Sequence, residues 1–285
     1  MPSPWRRAQL VAALAGLSAA TACRTLPRPA AGPAAAASAS EHDADWHWAR
    51  REDATHLRTA VALYRRDFAR APSVALCHRV CRASFLLADY FLEDDPAAQD
   101  AVFADAARVA LAALRLQPDV AAALGDHPGL TTAAIARVDA EHGPALIWWV
   151  AHFGRWLAHR DLVTQLVHMA RLLAAMDRVT TLHAEITPGS IDRMWGAYYA
   201  RRRHFPKARL HLDQAVRQAP HILYTRILYA TDYAIAARDK ETFVTQLRLA
   251  LAEKEPADPE WAADCRLERE RARRLLAKAD ALFPK

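Results

Sequence analysis

The stretch that decides the fold is 189–220, which reads GSIDRMWGAYYARRRHFPKARLHLDQAVRQAP. Its apolar residues recur at spacings of three and four, which is the period of one face of an α-helix. Pro220 closes the stretch at a point where a proline no longer interrupts a helix. The pattern predicts two consecutive helices, over 190–202 and 205–218.

Small residues in this stretch indicate that its two helices pack closely as an antiparallel pair. Gly196 lies in the first helix and Ala208 in the second, and residues of this size let two helix backbones approach each other. Tyr199 and Leu212 are large enough to fill the space toward a neighbouring pair. Together with Ala215, these residues fall at the register of the ~34-residue tetratricopeptide pattern. We therefore predict tetratricopeptide-like stacked helix hairpins.

The same helical periodicity continues through the rest of the chain. Only 8 of the 285 residues are glycine, which disfavours the glycine-rich turns of sandwiches, barrels and nucleotide-binding sheets. Hydrophobic residues make up 53% of the chain, enough for one large domain or two small ones. We predict an all-α fold with a C-terminal capping helix. The expected helices are 42–70, 73–92, 98–117, 119–124, 130–140, 144–159, 161–176, 190–202, 205–218, 221–237, 240–253 and, as the cap, 259–282.

The N-terminal residues have the pattern of a bacterial lipoprotein signal. A short basic start precedes a run of small and apolar residues that is too short for a bilayer, which needs about 20. The run ends at Ala20-Thr21-Ala22-Cys23, which resembles a lipobox. We predict a signal peptide over 1–22 and lipid attachment at Cys23. A plain signal peptide, cut after an A-x-A-like site, is the alternative.

The segment after the cysteine has the composition of a tether. Residues 23–41 are rich in proline and alanine and show no hydrophobic periodicity, which predicts a disordered linker. A tetratricopeptide-like helical domain is then expected over 42–285. Such a chain would face the periplasm, lipid-anchored to the cell envelope. Arg24 is not an obvious inner-membrane retention signal, which favours the outer membrane.

Composition and motifs argue against catalysis, nucleic-acid binding and metal binding. The formal net charge of +6 is small, and Arg6 and Arg7 of the signal segment contribute to it, so nucleic acid is not an expected partner. The sequence contains no nucleotide-binding, zinc-protease or serine-hydrolase motif. His152 and His159 share a helix face, but no acid or thiol stands at ligand spacing beside them. We expect no catalytic residue, no metal and no cofactor.

Aromatic residues cluster on three of the predicted helices, 144–159, 190–202 and 221–237. In stacked helix pairs, the first helix of each pair lines a concave face or an internal channel. Aromatic side chains there would form an apolar opening for a ligand, whereas ordinary core packing is the alternative interpretation. The candidate ligand-opening residues are Trp148, Trp149, His152, Trp195, Tyr198, Tyr199, Tyr229 and Tyr233.

Five stretches, taken in order, resemble one known family. They are 82–96 (RASFLLADYFLEDDP), 145–157 (ALIWWVAHFGRWL), 189–220 as quoted above, 229–234 (YATDYA) and 271–283 (RARRLLAKADALF). Their order and spacing, behind a lipobox-like start, are similar to those of the T component of TRAP (tripartite ATP-independent periplasmic) transporters, the TatT lipoproteins.

The resemblance implies a function that involves binding and no catalysis. Members of this family are all-helical lipoproteins, so a palmitate-type lipid is implied at Cys23. The resemblance further implies self-association as a trimer and binding to the periplasmic solute-binding component of a TRAP transporter. It also implies an apolar opening in the helical body that passes or holds a small hydrophobic or organic-acid ligand.

Two other functions remain open at this point. A generic tetratricopeptide-like scaffold lipoprotein would mediate protein–protein interactions in the envelope without a small ligand. A solid, aromatic-packed interior would favour that function, and a wide continuous channel would favour the transport function. An envelope hydrolase would need His, Asp or Glu clustered around a nucleophile in a cleft, and the observed spacings disfavour it.

Overall fold

Helices are the only regular elements in the described part of the chain. The computed structural model describes residues 43–284, and within them there are α-helices and two short π-helical turns but no strand. The predicted all-α class is confirmed. No helix in this part of the chain has both the length and the apolar character that crossing a membrane requires. The predicted signal peptide, the tether and Cys23 lie outside the described residues.

The first half of the described chain forms a run of consecutively packed helices. The elements are α1 (Ala44–Trp48), α2 (Ala54–Arg70), α3 (Val74–Leu86), the π-helical turn π1 (Leu87–Phe91), α4 (Pro96–Leu114), α5 (Pro118–Leu124), α6 (Thr132–Ile135), α7 (Gly143–Ala158) and α8 (Leu162–Thr181). Helix α3 packs against α2 and α4, and α7 packs against both α4 and α8.

The second half continues the same arrangement. The elements are α9 (Ser190–Arg201), α10 (Phe205–Gln218), α11 (Tyr224–Leu228), the π-helical turn π2 (Tyr229–Ala234), α12 (Ile235–Ala237), α13 (Lys240–Ala252), α14 (Pro259–Ala277) and α15 (Ala279–Leu282). Helix α9 packs against α10, and α13 packs against both π2 and α14. The predicted capping helix 259–282 is therefore interrupted at Lys278.

Side-chain caps explain where several of these helices begin. At the start of α2, Asp53 accepts hydrogen bonds from the backbone N–H groups of Thr55 and His56. Asp95 and Asp161 cap α4 and α8 in the same way. Each cap satisfies N–H groups that the first helical turn leaves without a partner. The helix starts are thus set by single acidic residues as well as by the apolar pattern.

The prediction of one helix over 42–70 was wrong. The structure has two helices, because α1 ends at Trp48 and α2 begins only at Ala54. Asp53 acts as the cap of α2, and the side chain of Arg51 turns inward instead of continuing a helix. Apolar periodicity did not reveal the break, since an aspartate inside a helix and an aspartate at a helix start look alike in that pattern. The helix predicted over 130–140 is likewise only the short α6.

The predicted close approach of α9 and α10 is confirmed. A Cβ atom added at Gly196 would lie 2.7 Å from Cγ of Leu212, so any larger residue there would force Leu212 or the helix to shift. Leu212 and Ala208 are fully buried between the two helices. The tetratricopeptide-like character of the whole array stays a prediction.

Two main hydrophobic cores fill the described domain. The first core draws on α1 to α8, and Leu57, Leu114 and Leu146 at its centre are fully buried. The second core draws on α9 to α15, with Ile227 and Leu247 fully buried. Packing of this kind supplies most of the stability of short helices, which are marginal by themselves. The region where the two cores meet is the part of the fold that positions the candidate site.

Candidate functional site

A cavity of ≈ 330 Å³ lies between the two hydrophobic cores, and we call it the interhelical cavity. Leu86 and Leu172 of the first core and Leu228 of the second core all line it. Its volume falls at the lower end of the ~300–1,000 Å³ range that is usual for small-molecule sites. The walls come from α3, π1, α7, α8, α9, α11, π2 and α14.

Helices α8 and α9 each present one face to the interhelical cavity. From α8 the lining residues are Gln165, Met169, Leu172 and Met176. From α9 they are Ser190, Arg193, Met194, Ala197, Tyr198 and Arg201. These residues recur at spacings of three and four, which places each set on one side of its helix. The walls of the cavity are mainly apolar, with a smaller number of polar groups among them.

Two of the eight candidate residues line the interhelical cavity. Trp148 is almost fully buried, and its Nε1 donates a hydrogen bond of 3.0 Å to Nδ1 of His78. Burial lowers the pKa of His78 to about 4, with Arg82 as a second cause, so this imidazole is neutral and able to accept. Tyr198 is half-buried and borders the cavity from α9.

The other two candidates on α7 lie outside the cavity lining. His152 is fully buried, and its Nε2–H donates to the backbone carbonyl of Cys81 at 3.0 Å. Burial lowers the pKa of His152 to about 4, so its ring is neutral. Trp149 stacks on Phe153 with ring centroids 4.4 Å apart. Both side chains pack among the helices.

The remaining four candidates also pack between helices instead of bordering the cavity. Trp195 donates to the hydroxyl of Thr180 at 2.9 Å, and Tyr199 stacks on His211 with ring centroids 5.6 Å apart. Tyr229 and Tyr233 are buried in the second core, in an edge-to-face pair with ring centroids 5.2 Å apart. Ring pairs of this kind stabilise a core beyond the area they bury.

Each of the two π-helical turns brings an aspartate against an arginine of the cavity. Asp89 of π1 is completely buried and pairs with Arg155 of α7. Asp232 of π2 pairs with Arg201 of α9, with 3.3 Å between Nε and Oδ2. Burial disfavours the charge of Arg155, but Asp89 more than compensates and raises its pKa. Single π-helical turns are often found at functional sites. Here each turn holds an aspartate that pairs with an arginine of the same cavity.

A third cavity arginine is held by the C-terminal helix. Arg82 of α3 forms ion pairs with Asp264, at 2.7 Å, and with Glu260, at 2.5 Å, both on α14. Burial opposes the charge of Arg82, but Asp264 and Glu260 outweigh this effect and raise its pKa. This group connects α3 to α14 beside the cavity.

Arg193 differs from these three arginines because it has no carboxylate partner in the described residues. Its guanidinium donates to the backbone carbonyl of Pro188 at 3.1 Å, to the hydroxyl of Thr225 at 3.2 Å and to the hydroxyl of Thr187. Burial lowers the pKa of Arg193 to about 10, so the group is still charged at neutral pH. Among the described residues, the hydrogen bonds that solvate this positive charge therefore go to neutral oxygens.

Glu268 is the buried acid of the same cavity. Burial, followed by the neighbouring charge of Asp264, raises the pKa of Glu268 to about 8. The hydroxyl of Tyr90 donates to its Oε1 at 3.3 Å. At neutral pH Glu268 is therefore mostly protonated and contributes no full negative charge.

Most of the cavity wall was not predicted from the sequence, including Arg193, Glu268 and the methionines of α8 and α9. One signal was available, because Ser190, Arg193, Met194, Ala197, Tyr198 and Arg201 follow helical spacing along a single face. Arginines that share a helix face with Met194 and Ala197 are a sign of a polar site in a buried wall. The aromatic residues were a poorer guide, since large rings pack cores more often than they line openings.

Helix α8 also carries an exposed apolar surface, which we call the α8 patch. Its four members, at the first two turns of the helix, are between 64% and 70% exposed. They are Leu162, Val163, Leu166 and Val167. Contiguous exposed apolar side chains on a soluble domain commonly mark a contact surface. Helix α8 thus carries both the residues of this patch and residues that line the interhelical cavity.

The cavity is lined by groups that can take part in ligand binding. Within residues 43–284, no group of three or more His, Cys, Asp or Glu side chains is placed to hold a metal ion. The cavity offers apolar contact, a buried charged donor outside the ion pairs in Arg193, and a mostly protonated acid in Glu268. These groups can orient a ligand by charge and shape.

A comparison with protein families identifies the chain. The family model described as TAtT, the TRAP transporter T-component, matches residues 93–283, which is more than half of the chain. Four of the five stretches quoted above fall inside this match, and 82–96 overlaps its start. A search of curated proteins gave no match. The resemblance predicted from the sequence is confirmed: the chain belongs to the family of TRAP transporter T-components.

Proposed function

We propose that this T-component is a non-catalytic lipoprotein of the periplasm that holds a small, apolar ligand in the interhelical cavity. It works beside the solute-binding protein of a TRAP transporter, which it contacts directly. The observation that carries the proposal is the partly enclosed, mainly apolar cavity between the two cores. Each CH₂ group buried there contributes ~0.8 kcal/mol, enough in sum for weak and reversible binding.

Ligand binding in the cavity can be tested with a neutral, apolar probe. Trp148 and Trp261 line the cavity, so their fluorescence should respond when decanol binds. An Ala197→Trp substitution fills space on the cavity face of α9 and should abolish the response. Ala170→Trp, on the exposed side of α8, is the matched control and should leave binding intact. Equal binding by both variants would exclude the cavity as the ligand site.

The α8 patch supports the proposed contact with the solute-binding protein. Gln165 and Met169 lie on the same helix as this patch and line the cavity, so a protein bound there is next to the ligand site. We propose that the solute-binding protein of the transporter binds the α8 patch. Burying these four exposed side chains would provide an apolar centre for such an interface.

Capture of the solute-binding protein tests this contact. The tagged T-component should retain it, and a Leu166→Glu substitution should weaken the capture, because it places a charge in the apolar interface. Leu210→Glu, at an exposed leucine of α10, is the control and should have no effect. If both variants still capture the solute-binding protein, the contact lies elsewhere on the T-component. Recovery of envelope assembly factors instead of the solute-binding protein would support the scaffold function.

Self-association of the chain is tested separately, by measuring the native mass of the purified protein. We propose, from the family resemblance, that the chain assembles into a trimer. Light scattering on the wild-type protein should give three times the mass of one chain, and the mass of a single chain would contradict the proposal. The Leu166→Glu variant should keep the wild-type mass if the patch serves the solute-binding protein.

Lipid attachment at Cys23 is the fourth part of the proposal. The other cysteines, Cys77, Cys81 and Cys265, are free and buried, which leaves Cys23 as the proposed acceptor. Labelled palmitate should enter the wild-type protein but not a Cys23→Ala variant, which should also leave the membrane fraction. Label retained by that variant would contradict the assignment. Fractionation should place the wild-type protein in the outer membrane, in keeping with Arg24.

A further inference from the structure

One buried arginine of the interhelical cavity forms no ion pair with a carboxylate of the described residues. Arg193 is 8% exposed and lies on the cavity face of α9. Its three hydrogen bonds in the described residues go to the carbonyl of Pro188 and to the hydroxyls of Thr187 and Thr225. A guanidinium carries five N–H donors, so donors remain for a ligand.

The other arginines of this cavity do not have the same freedom. Arg82, Arg155 and Arg201 each hold a carboxylate of the chain itself. Arg202 is exposed, so water solvates its charge. Among the described cavity residues, Arg193 is therefore the buried arginine whose charge is left for an anion from outside.

The buried acid nearby does not take this place. Glu268 forms no ion pair with Arg193 in the described residues, and its carboxyl accepts a hydrogen bond from Tyr90. Because burial raises the pKa of Glu268 to about 8, it is mostly neutral when Arg193 is charged. A buried charge without a counter-ion is costly, and a bound anion would relieve that cost.

The surroundings of Arg193 define the rest of the ligand. Met194, on the same face of α9, lines the cavity, and Met169 and Leu172 of α8 line it as well. These side chains offer contacts to an apolar chain and no hydrogen bonds. A single unpaired guanidinium matches one planar carboxylate, to which it can donate two parallel hydrogen bonds.

We propose that Arg193 binds the carboxylate of an amphipathic monocarboxylate whose apolar tail lies along Met169, Leu172 and Met194. This inference rests on the proposed ligand-holding function and specifies the ligand of the same cavity. It makes Arg193 the residue that distinguishes a carboxylic acid from a neutral molecule of equal length.

The first test compares decanoate with decanol on the wild-type protein. The two molecules share the same tail and differ at the head group, so decanoate should bind ~10- to 100-fold more tightly through its charge-assisted hydrogen bonds. Acetate, which has the head group without the tail, should bind too weakly to detect. The fluorescence of Trp148 and Trp261 reports each titration.

The second test asks whether Arg193 is the cause of that preference. Arg193→Gln should reduce decanoate binding to the level of decanol while leaving decanol binding unchanged. Arg202→Gln removes the same charge from an exposed cavity arginine and should keep the preference. Circular dichroism and thermal unfolding confirm that each variant is folded. Arg193→Lys retains the charge and should keep part of the preference for decanoate over decanol. This variant replaces Arg193→Gln in the test if the glutamine variant does not fold.

The possible results separate this inference from the proposed function. If decanoate and decanol bind the wild-type protein equally, or if the folded Arg193→Gln variant retains the full preference, the carboxylate assignment is wrong and the cavity function stands. If neither molecule binds, the proposed ligand function fails and this inference fails with it.

Discussion

At the scale of single residues, Gly196 sets how closely α9 and α10 approach. We expect Gly196→Ala to lower the free energy of unfolding by ~1–3 kcal/mol, because its Cβ would clash with the fully buried Leu212. Urea denaturation measures the effect. Gly154→Ala is the control, since a Cβ there would lie 3.9 Å from Leu172 and the gain in helix propensity is up to ~1 kcal/mol. A stabilised Gly196→Ala variant would contradict the packing.

Glu268 links proton binding to stability, because burial raises its pKa from 4.5 to about 8. An acid whose pKa is raised by folding contributes stability that is fully present below pH 4.5 and is lost as the pH rises through about 8. Across that window the wild-type protein should lose free energy of unfolding, relative to Glu268→Gln, on the order of a few kcal/mol. Urea denaturation below and above the window measures the difference.

A neighbouring acid on the same helix supplies the control for this pH effect. Glu270 is exposed on α14, so Glu270→Gln should leave the slope of stability against pH as it is in the wild-type protein. If Glu268→Gln and the wild-type protein showed parallel curves, Glu268 would not be the buried acid that we describe.

At the scale of helices, a buried ion network holds α3 and the turn between α1 and α2 against α14. Asp264 of α14 is 6% exposed and accepts from Arg51 at 2.6 Å and from Arg82 at 2.7 Å. Removing one partner of a buried ion pair leaves an uncompensated charge, which typically costs ~3–5 kcal/mol. We therefore expect Asp264→Asn to lower the free energy of unfolding by about this amount in thermal or urea unfolding.

An exposed pair between helices is the comparison for this network. Lys240 and Asp280 are joined at 2.7 Å, but Asp280 is 96% exposed, so Asp280→Asn should cause no measurable change. Similar effects of the two Asp→Asn substitutions would show that the α14 network does not anchor the N-terminal helices.

The helices themselves were largely predictable from the sequence, whereas the ion pairs between them were not. Prolines and apolar spacing placed most helix ends, and 205–218 matches α10 residue for residue. The break before Asp53 was missed because a capping aspartate leaves the apolar pattern unchanged. Arg82 and Asp264 lie 182 positions apart, and no local pattern connects two residues at that separation.

The candidate site was predictable as a kind of opening and not as a set of residues. Trp148 and Tyr198 border the interhelical cavity, while Trp149, Trp195 and Tyr229 lie in packed positions. Which side of a helix faces a cavity depends on how neighbouring helices pack, and a single sequence states only the period. Of the eight candidates chosen from the pattern of rings, two line the cavity and six do not.

At the scale of the whole described domain, the cavity lies where two hydrophobic cores meet without merging. Arg82, Arg155 and Arg201 are each tied to a carboxylate around it, so the polar part of the wall is fixed in place. Fixed polar groups and flexible methionines together suit a ligand with one charged end and one apolar end. On our proposal, the cavity of this TRAP transporter T-component holds such a molecule next to the α8 patch.

The most direct measurement locates a bound ligand by anomalous scattering. Crystals of the chain grown with a fatty acid that carries a terminal bromine should show a bromine peak inside the interhelical cavity, along the apolar wall formed by Met169 and Leu172. A peak only on the α8 patch or elsewhere on the surface, with the cavity empty, would contradict the account.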